Sequence, residues 1–257
     1  MFCQKVIIGL LGKSLKHSFS KKYFDDFFVN NNFVNFEYKN FEIPSIDFLP
    51  LLINQNENII GLNVTIPFKQ EVLRYVNKKS EEVEKVGAAN TLLIERFFND
   101  TFISAFNTDV YGFEVSLKNF LDKKIAQAIV IGNGGASKSV CYVLDKLGVD
   151  FHVVARKRKS EDELLFEDLE KEIVQSADLI VNTTPVGQFP NISEKLDFPF
   201  EYISNKHYCY DLVYNPFKTI FLKKSEDKGA KVFNGIEMLY LQAEKSWELF
   251  YQASKKF

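Results

Sequence analysis

The chain has 257 residues, long enough for one large or two medium domains and a substantial core, and a formal net charge of -2 argues against a general nucleic-acid binder. Its cysteines, Cys3, Cys141 and Cys209, are an odd and widely spaced set that supports neither a disulfide framework nor a zinc cage and fits a reducing cytoplasm. The apolar run Val6 to Leu11 near the amino terminus is too short for a secretion signal or a bilayer span and reads as a strand.

After that strand, Ser20 to Val29 reads as a helix turning Tyr23, Phe24, Phe27 and Phe28 inward. Phe33 to Phe41 alternates Phe with polar residues, the period of a strand with one buried face. Ser45 is placed to cap a helix running to Ile53, Ile59 to Val64 gives a third strand, and Lys69 to Val76 a short helix. Ser80 with Glu81 and Glu82 opens another helix that ends near Gly87. Strands around Thr91 to Ile94 and Phe102 to Ala105 follow, separated by a turn at Asn99-Asp100. These elements predict a self-contained α/β layer over residues 1–108.

A helix from Gly112 to Leu121 leads into residues 126–139, Ala-Gln-Ala-Ile-Val-Ile-Gly-Asn-Gly-Gly-Ala-Ser-Lys-Ser. An apolar strand there runs directly into glycines and then into helix-forming sequence. Gly132 allows a tight turn, and Gly134 and Gly135 remove the Cβ atoms that would obstruct a pyrophosphate. The N–H groups opening the next helix face the anion. Asn133 and Ala136 complete the turn, and Ser137 stands where a third glycine is usual, small enough for close helix packing. A glycine cluster alone is equally a structural turn. The context separates the two: Val140, Leu144 and Leu147 continue a helical stripe, Gly148 ends it, and Phe151 to Ala155 form a second strand. The result is the strand-turn-helix-strand unit of about 30 residues that a dinucleotide site requires.

An NAD site places an Asp or Glu at the end of the second strand, about 20 residues beyond the glycines, for the ribose hydroxyls. Here the strand ends Ala155-Arg156-Lys157-Arg158-Lys159, and such a cluster of cations suits the additional 2′-phosphate of NADP. A solvated basic loop is the alternative reading. Further strands are expected at Asp178 to Asn182, Tyr208 to Val213 and Lys231 to Phe233, with helical crossovers between them. The final segment, Ile236 to Lys256, is amphipathic, with Leu239, Ala243, Trp247 and Phe250 at helical spacing. Packing back on the first domain would bury that stripe. The expected boundaries are residues 1–108 with helix 236–257 for the first domain and 109–235 for the second.

Several polar clusters stand at the ends of the predicted strands. Gly12-Lys13-Ser14-Leu15-Lys16-His17-Ser18-Phe19-Ser20 follows a buried strand and precedes a helix, so its hydroxyls and amides could hold a carboxylate. A simple N-cap by Ser20 explains it as well. Asn63 and Thr65 lie at the end of an apolar strand and Lys69 beyond a rigid Pro, and strand ends in an open α/β sheet are where ligands bind. Gly87-Ala88-Ala89-Asn90-Thr91 and Asn107-Thr108-Asp109 add short polar groups at similar positions, each of which an Asx turn would also explain.

Taken together and in order, these clusters resemble the shikimate dehydrogenase family along nearly the whole chain. The matching pieces are His17 to Ser20, Asn63 to Lys69, Gly87 to Thr91, Asn107 to Asp109, Gly132 to Ser137, Asn182 to Gly187, Tyr210 to Tyr214, and Asn234-Gly235 with Met238 and Gln242. The resemblance implies reversible NADPH-dependent reduction of 3-dehydroshikimate to shikimate, without a metal, in chorismate and aromatic amino acid biosynthesis. It implies catalysis by Lys69 and Asp109, carboxylate binding by Ser18 and Ser20 with Tyr214 nearby, and ring-hydroxyl recognition by Thr65, Asn90, Asp109 and Gln242. The nicotinamide would be flanked by Leu212, Gly235 and Met238, Thr184 would line the cofactor groove with Asn182, and Arg156 and Lys157 would face the 2′-phosphate. The implied architecture is a substrate-binding domain and a Rossmann-type NADP domain separated by a cleft. The implied partner is a small-molecule substrate rather than nucleic acid or membrane, with the chain a monomer or homodimer in the cytoplasm.

The proposed pair makes chemical sense. Hydride delivery to a carbonyl leaves an oxyanion, which a nearby ammonium can protonate or stabilise while a carboxylate orients it. Departures from the family pattern at Lys21, Phe24, Gln188 and Glu237 spare that pair, and those at Ala155 and Lys157 imply rearranged contacts to the 2′-phosphate. His17 reads as structural, holding the serine loop. Two rivals stay open: an NAD-using quinate/shikimate dehydrogenase, against which Ser20 and the basic cluster speak, and a non-catalytic metabolite sensor, against which the retained Lys69 and Asp109 speak.

Overall fold

The computed structural model describes residues 5–15, 18–98 and 100–255, so Cys3, His17 and Asn99 lie outside the described residues. Two units divide the chain: one runs to Thr108 and resumes at Ala243, and the other is Asp109–Gln242.

In the first unit, apolar β1 (Val6–Gly12) pairs in parallel with β2 (Phe36–Glu42), the two being joined by α1 (Ser20–Asn30). The expected helix after Ser45 forms in two pieces, a 3-10 turn at Ile46–Phe48 and α2 (Leu49–Gln55). Ser45 accepts a hydrogen bond from Asp47 N (3.3 Å) as a cap should. Pro50, in the first turn of α2, has no N–H to continue the preceding ladder, which accounts for the break. β3 (Ile59–Val64), buried throughout, then lies parallel to β1 on its other side. Residues 69–76, expected as a helix, form only a 3-10 turn at Glu71–Tyr75, too short a stretch to offset the cost of α-helix nucleation.

The exposed pair β4 (Lys78–Lys79) leads to α3 (Glu81–Val86), which Ser80 caps (Val83 N to Oγ, 3.4 Å) and Gly87 ends in the left-handed region, φ 65°. β5 (Thr91–Phe97) and β6 (Asp100–Phe106) form an antiparallel hairpin longer than its sequence pattern suggested. The sheet order is β2-β1-β3-β5-β6-β4. One face is covered by Ile46, Leu49, Ile53, Val72 and Val83. The other is covered by Phe24 and Phe28 of α1 together with Ala243, Trp247 and Phe250. A Cβ at Gly61 would collide with the Phe250 ring, so glycine there is what lets this residue lie directly on β3. Trp247 completes an aromatic cluster with Phe27, Phe28, Phe33 and Phe36, ring centroids 4.8 to 5.5 Å apart.

The second unit follows α4 (Thr108–Phe120). β7 (Gln127–Ile131), α5 (Gly135–Lys146), β8 (Asp150–Ala155), the short β9 (Leu164–Leu165), α6 (Lys171–Ser176), β10 (Leu179–Asn182), β11 (Tyr208–Asp211), α7 (Ile220–Asp227) and β12 (Lys231–Asn234) follow in order. The strands pair in parallel throughout, ordered β12-β11-β10-β7-β8-β9, the arrangement of a doubly wound dinucleotide-binding sheet. The order of strand addition reverses between β7 and β10, and ligands bind such sheets outside the strand ends at that switch point.

One expected helical crossover is absent, and the unexpected strand β9 is reached without a helix. Between β10 and β11, Pro185, Gly187, Pro190 and Pro199 interrupt any helix, and Leu196, Phe198, Phe200 and Ile203 enter the core from irregular chain and a 3-10 turn. Between β8 and β9, residues 156–163 are all charged except Ser160 and hold no apolar residue from which to build a helical stripe. The last helix, α8 (Ile236–Ser254), opens in the second unit, and its residues from Ala243 belong to the first.

Because Phe250 is fully buried, Phe250→Ala is expected to lower the unfolding free energy by about 3–5 kcal/mol in urea titrations. A loss below about 1 kcal/mol would show that this helix contributes little to the first unit.

Candidate active site

β1 and β3 are parallel neighbours whose carboxyl ends feed the segments 13–15 and 65–70. The Thr65 methyl packs under Gly12, Thr65 N bonds to Leu11 O (2.9 Å), and Leu15 N bonds to Glu42 Oε1 (2.6 Å). These contacts fasten both segments to the sheet. Lys69, half-buried, sits in the turn after β3, where its carbonyl accepts from Ala89 N (2.8 Å). The Gly87–Thr91 and Asn63–Lys69 motifs are thereby joined.

Behind these loops runs a buried polar network. The Tyr38 hydroxyl donates to Asn63 Oδ1 (3.0 Å), and Asn63 Nδ2 donates to Ser246 Oγ (2.9 Å) and Thr91 Oγ1 (3.2 Å). Asn90 Oδ1 accepts from Thr108 N (2.7 Å) and Thr91 Oγ1 (3.1 Å), and the Thr108 and Ser246 hydroxyls lie 3.1 Å apart. Burial drives the Tyr38 phenol far above its ordinary range, so it stays a neutral donor, with Ser20 beside it opposing part of that rise. Tyr38 and Ser246 carried no signal in sequence, one sitting in a strand of alternating aromatics and the other in the amphipathic helix. Ser18 Oγ is buried and, among the described residues, is the one buried side-chain polar atom with no hydrogen-bond partner.

At the switch point of the second unit, Gly132 has φ 111°, and a Cβ there would strike Thr183 and Thr184. Gly134 opens onto free space, and α5 begins at Gly135 with Ser137 buried, as close packing of its first turn requires. Of the four cations after β8, Arg158 donates to Asp168 (2.5 Å) and Lys159 Nζ to Asn133 O (2.8 Å). Arg156 and Lys157 are exposed, and neither side chain makes an ion pair or hydrogen bond among the described residues. Arg156 also lines a recess of about 820 Å³ with Ala155, Leu165, Val186 and Lys195.

The ends of β10 and β11 are held by Asp211, which sequence reading left without a role. It accepts from Asn182 Nδ2 (2.9 Å), Val213 N (3.0 Å) and Thr219 Oγ1 (2.5 Å), while Asn182 Oδ1 accepts from Thr184 N (3.0 Å). Burial nevertheless pushes its carboxyl up to about 6. An Asp inside the apolar run Tyr208 to Val213 is the signal that could have drawn attention to it. Gly235 packs against the Leu212 backbone, and Gly112 against Met238 O and Gln242, so Leu212, Gly235, Met238 and Gln242 lie along neighbouring segments of this unit. Asp109 is buried in the first turn of α4, and burial raises the Tyr214 phenol. Burial likewise pushes the Cys141 thiol up to about 11 and the Cys209 thiol to about 12, so neither is a thiolate nucleophile. Among the described residues no cluster of His, Cys, Asp and Glu could hold a metal, and no helix is long and apolar enough to cross a membrane.

Residues 10–92 match the family model described as the shikimate dehydrogenase substrate binding domain. Curated relatives named shikimate dehydrogenase (NADP(+)) include one from Caldicellulosiruptor bescii, 37% identical over 91% of this chain and 85% of its own. Another, from Clostridium beijerinckii, is 36% identical over 94% and 90%. Among solved structures, a chorismate mutase/shikimate 5-dehydrogenase fusion protein from Clostridium acetobutylicum superposes with a TM-score of 0.84 at 33% identity, covering 96% of this chain and 91% of that one. Shikimate 5-dehydrogenase from Thermus thermophilus in complex with NADP(H) and shikimate gives 0.81 at 28% identity, over 95% and 93%. With one matching order of strand-end motifs and identity sustained across both units, the chain belongs to the shikimate dehydrogenase family.

Proposed function

We propose that this chain is an NADP-dependent shikimate dehydrogenase that interconverts 3-dehydroshikimate and shikimate in the cytoplasm, a step towards chorismate and the aromatic amino acids. The curated relatives carry that activity in their names. The observation that carries the substrate half is Ser18. A buried hydroxyl left without a partner costs about 1–3 kcal/mol, and such a group is tolerated where a polar ligand supplies the missing bond. Ser18 and Ser20 take the substrate carboxylate, with Tyr214 contributing its phenol. Thr65, Asn90, Asp109 and Gln242 recognise the ring hydroxyls, each of which needs both a donor and an acceptor.

NADP fits the second unit on its own evidence. A Cβ at Gly134 would fill the open approach to the first turn of α5, and Arg156 and Lys157 are cations with no competing side-chain partner among the described residues. Gly132 to Ser137 hold the pyrophosphate, Arg156 and Lys157 the 2′-phosphate, and Thr184, Leu212, Gly235 and Met238 the nicotinamide side. When bound, NADPH supplies the hydride. Lys69 gives a proton to the keto oxygen, or stabilises the negative charge that develops there, and takes the proton back in the oxidation direction. Asp109 contributes the carboxylate of the proposed pair.

Spectrophotometric assay of NADPH formation from shikimate tests the whole reading, and quinate oxidised as fast as shikimate would overturn it. Lys69→Ala is expected to lower kcat by about 10²- to 10⁴-fold with little change in the KM for shikimate. An Ala variant that keeps its turnover would remove Lys69 from the chemistry. Replacing both Arg156 and Lys157 by Ala should raise the KM for NADPH far more than that for NADH, and equal effects on the two would take the 2′-phosphate away from these side chains.

A further inference from the structure

β8 and β9 are parallel neighbours, Val154 opposite Leu164 and Ala155 opposite Leu165, yet only residues 156–163 connect them, with no helix. Parallel neighbours ordinarily need about a dozen or more connecting residues, most often a helix whose internal hydrogen bonds fix its position. This connection lacks such a ladder, and it carries Arg156 and Lys157. What holds it is a set of bonds converging on two side chains. Asn133 Nδ2 donates to Glu163 Oε2 (2.8 Å) and to Lys157 O (3.0 Å), and Lys159 N donates to the same Glu163 oxygen (2.7 Å). Lys159 Nζ closes the ring on Asn133 O (2.8 Å). Asn133 lies between Gly132 and Gly134, so the basic loop is pinned to the glycine turn itself. Glu163 is half-buried, and both bonds it accepts come from N–H groups that have to be placed before Arg156 and Lys157 can be.

We infer that Glu163, through Asn133 and Lys159 N, is a positioning residue for cofactor selectivity: it holds the basic loop where Arg156 and Lys157 meet a ribose 2′-phosphate. A carboxylate close to a phosphate site would ordinarily weaken phosphate binding by repulsion. Here its structural contribution exceeds that cost, because the loop's other ties, Arg158 to Asp168 and Asn133 with Lys159 Nζ and Lys157 O, leave the Lys159 N–H and the second Asn133 N–H without the acceptor that locks them together. The inference rests on the reading of the second unit as an NADP site.

The test is calorimetric binding of 2′,5′-ADP and 5′-AMP, which differ only in the 2′-phosphate, to the full-length chain without substrate. Glu163→Ala is expected to weaken 2′,5′-ADP about tenfold and 5′-AMP less than about twofold. Glu163→Gln keeps an oxygen that accepts both N–H groups and is expected to retain most of the affinity. Glu163→Asp, one methylene too short to accept from both N–H groups, should give a smaller loss in the same direction and serves if Glu163→Ala does not fold. In turnover, Glu163→Ala should raise the KM for NADPH and leave kcat at saturation within about twofold. Tighter binding of 2′,5′-ADP by Glu163→Ala and Glu163→Gln would show that the carboxylate only repels, and equal losses for both probes would show a merely structural role. Either result overturns the inference. A wild-type protein indifferent to the 2′-phosphate would overturn the NADP reading itself, and the inference with it.

Discussion

Asn63 sits in a strand with no exposed residue, and an amide there has to find all its hydrogen bonds inside the protein. It finds them in Tyr38 from β2, Thr91 from β5 and Ser246 from α8, so one buried side chain ties strands on both sides of β3 to a helix distant in sequence. The loops that carry Thr65, Lys69 and Asn90 hang from the strands this network joins. Their precision comes from a satisfied polar core, since a partly satisfied network in a low-dielectric interior would cost more than an apolar one.

The second unit meets the same requirement with an ionisable group. Asp211 joins the ends of β10 and β11 to the start of α7 through Asn182 and Thr219, and Asn182 in turn holds Thr184. Three hydrogen bonds favour its ionised form while burial opposes it, and burial is the larger effect. In both units the candidate site residues sit at or just beyond strand ends, and the buried hydrogen-bonded groups lie one layer behind. A doubly wound sheet favours this division, because its strand ends open at the switch point while its strand interiors are closed on both faces.

The candidate site residues stood out in the sequence because they break local patterns. Glycines after an apolar strand, a Lys past a Pro, serines before a helix and a basic run where an acid is usual all stand out against regular periodicity. Asn133 was legible as a member of the glycine turn, but its bonds to Lys157 and Glu163 were not, since they span a connection whose path depends on a missing helix. Tyr38 and Ser246 conform to the patterns around them, an alternating strand and an amphipathic helix, so nothing marked them out. The interrupted crossover before β11 could have been anticipated from its prolines, and the absence of a helix in 156–163 follows from the lack of any apolar residue there.

Sequence alone determined most of the element order, the parallel second sheet and the positions of the strand-end motifs, because hydrophobic period, glycine and proline placement and capping are properties of contiguous residues. Tertiary structure alone decided that Phe250 lies on Gly61, that Asn63 meets Ser246, and that Glu163 reaches Asn133. Each of these pairs residues that no local period relates, and each is set by the space and the unsatisfied hydrogen bonds that remain once the sheets have formed.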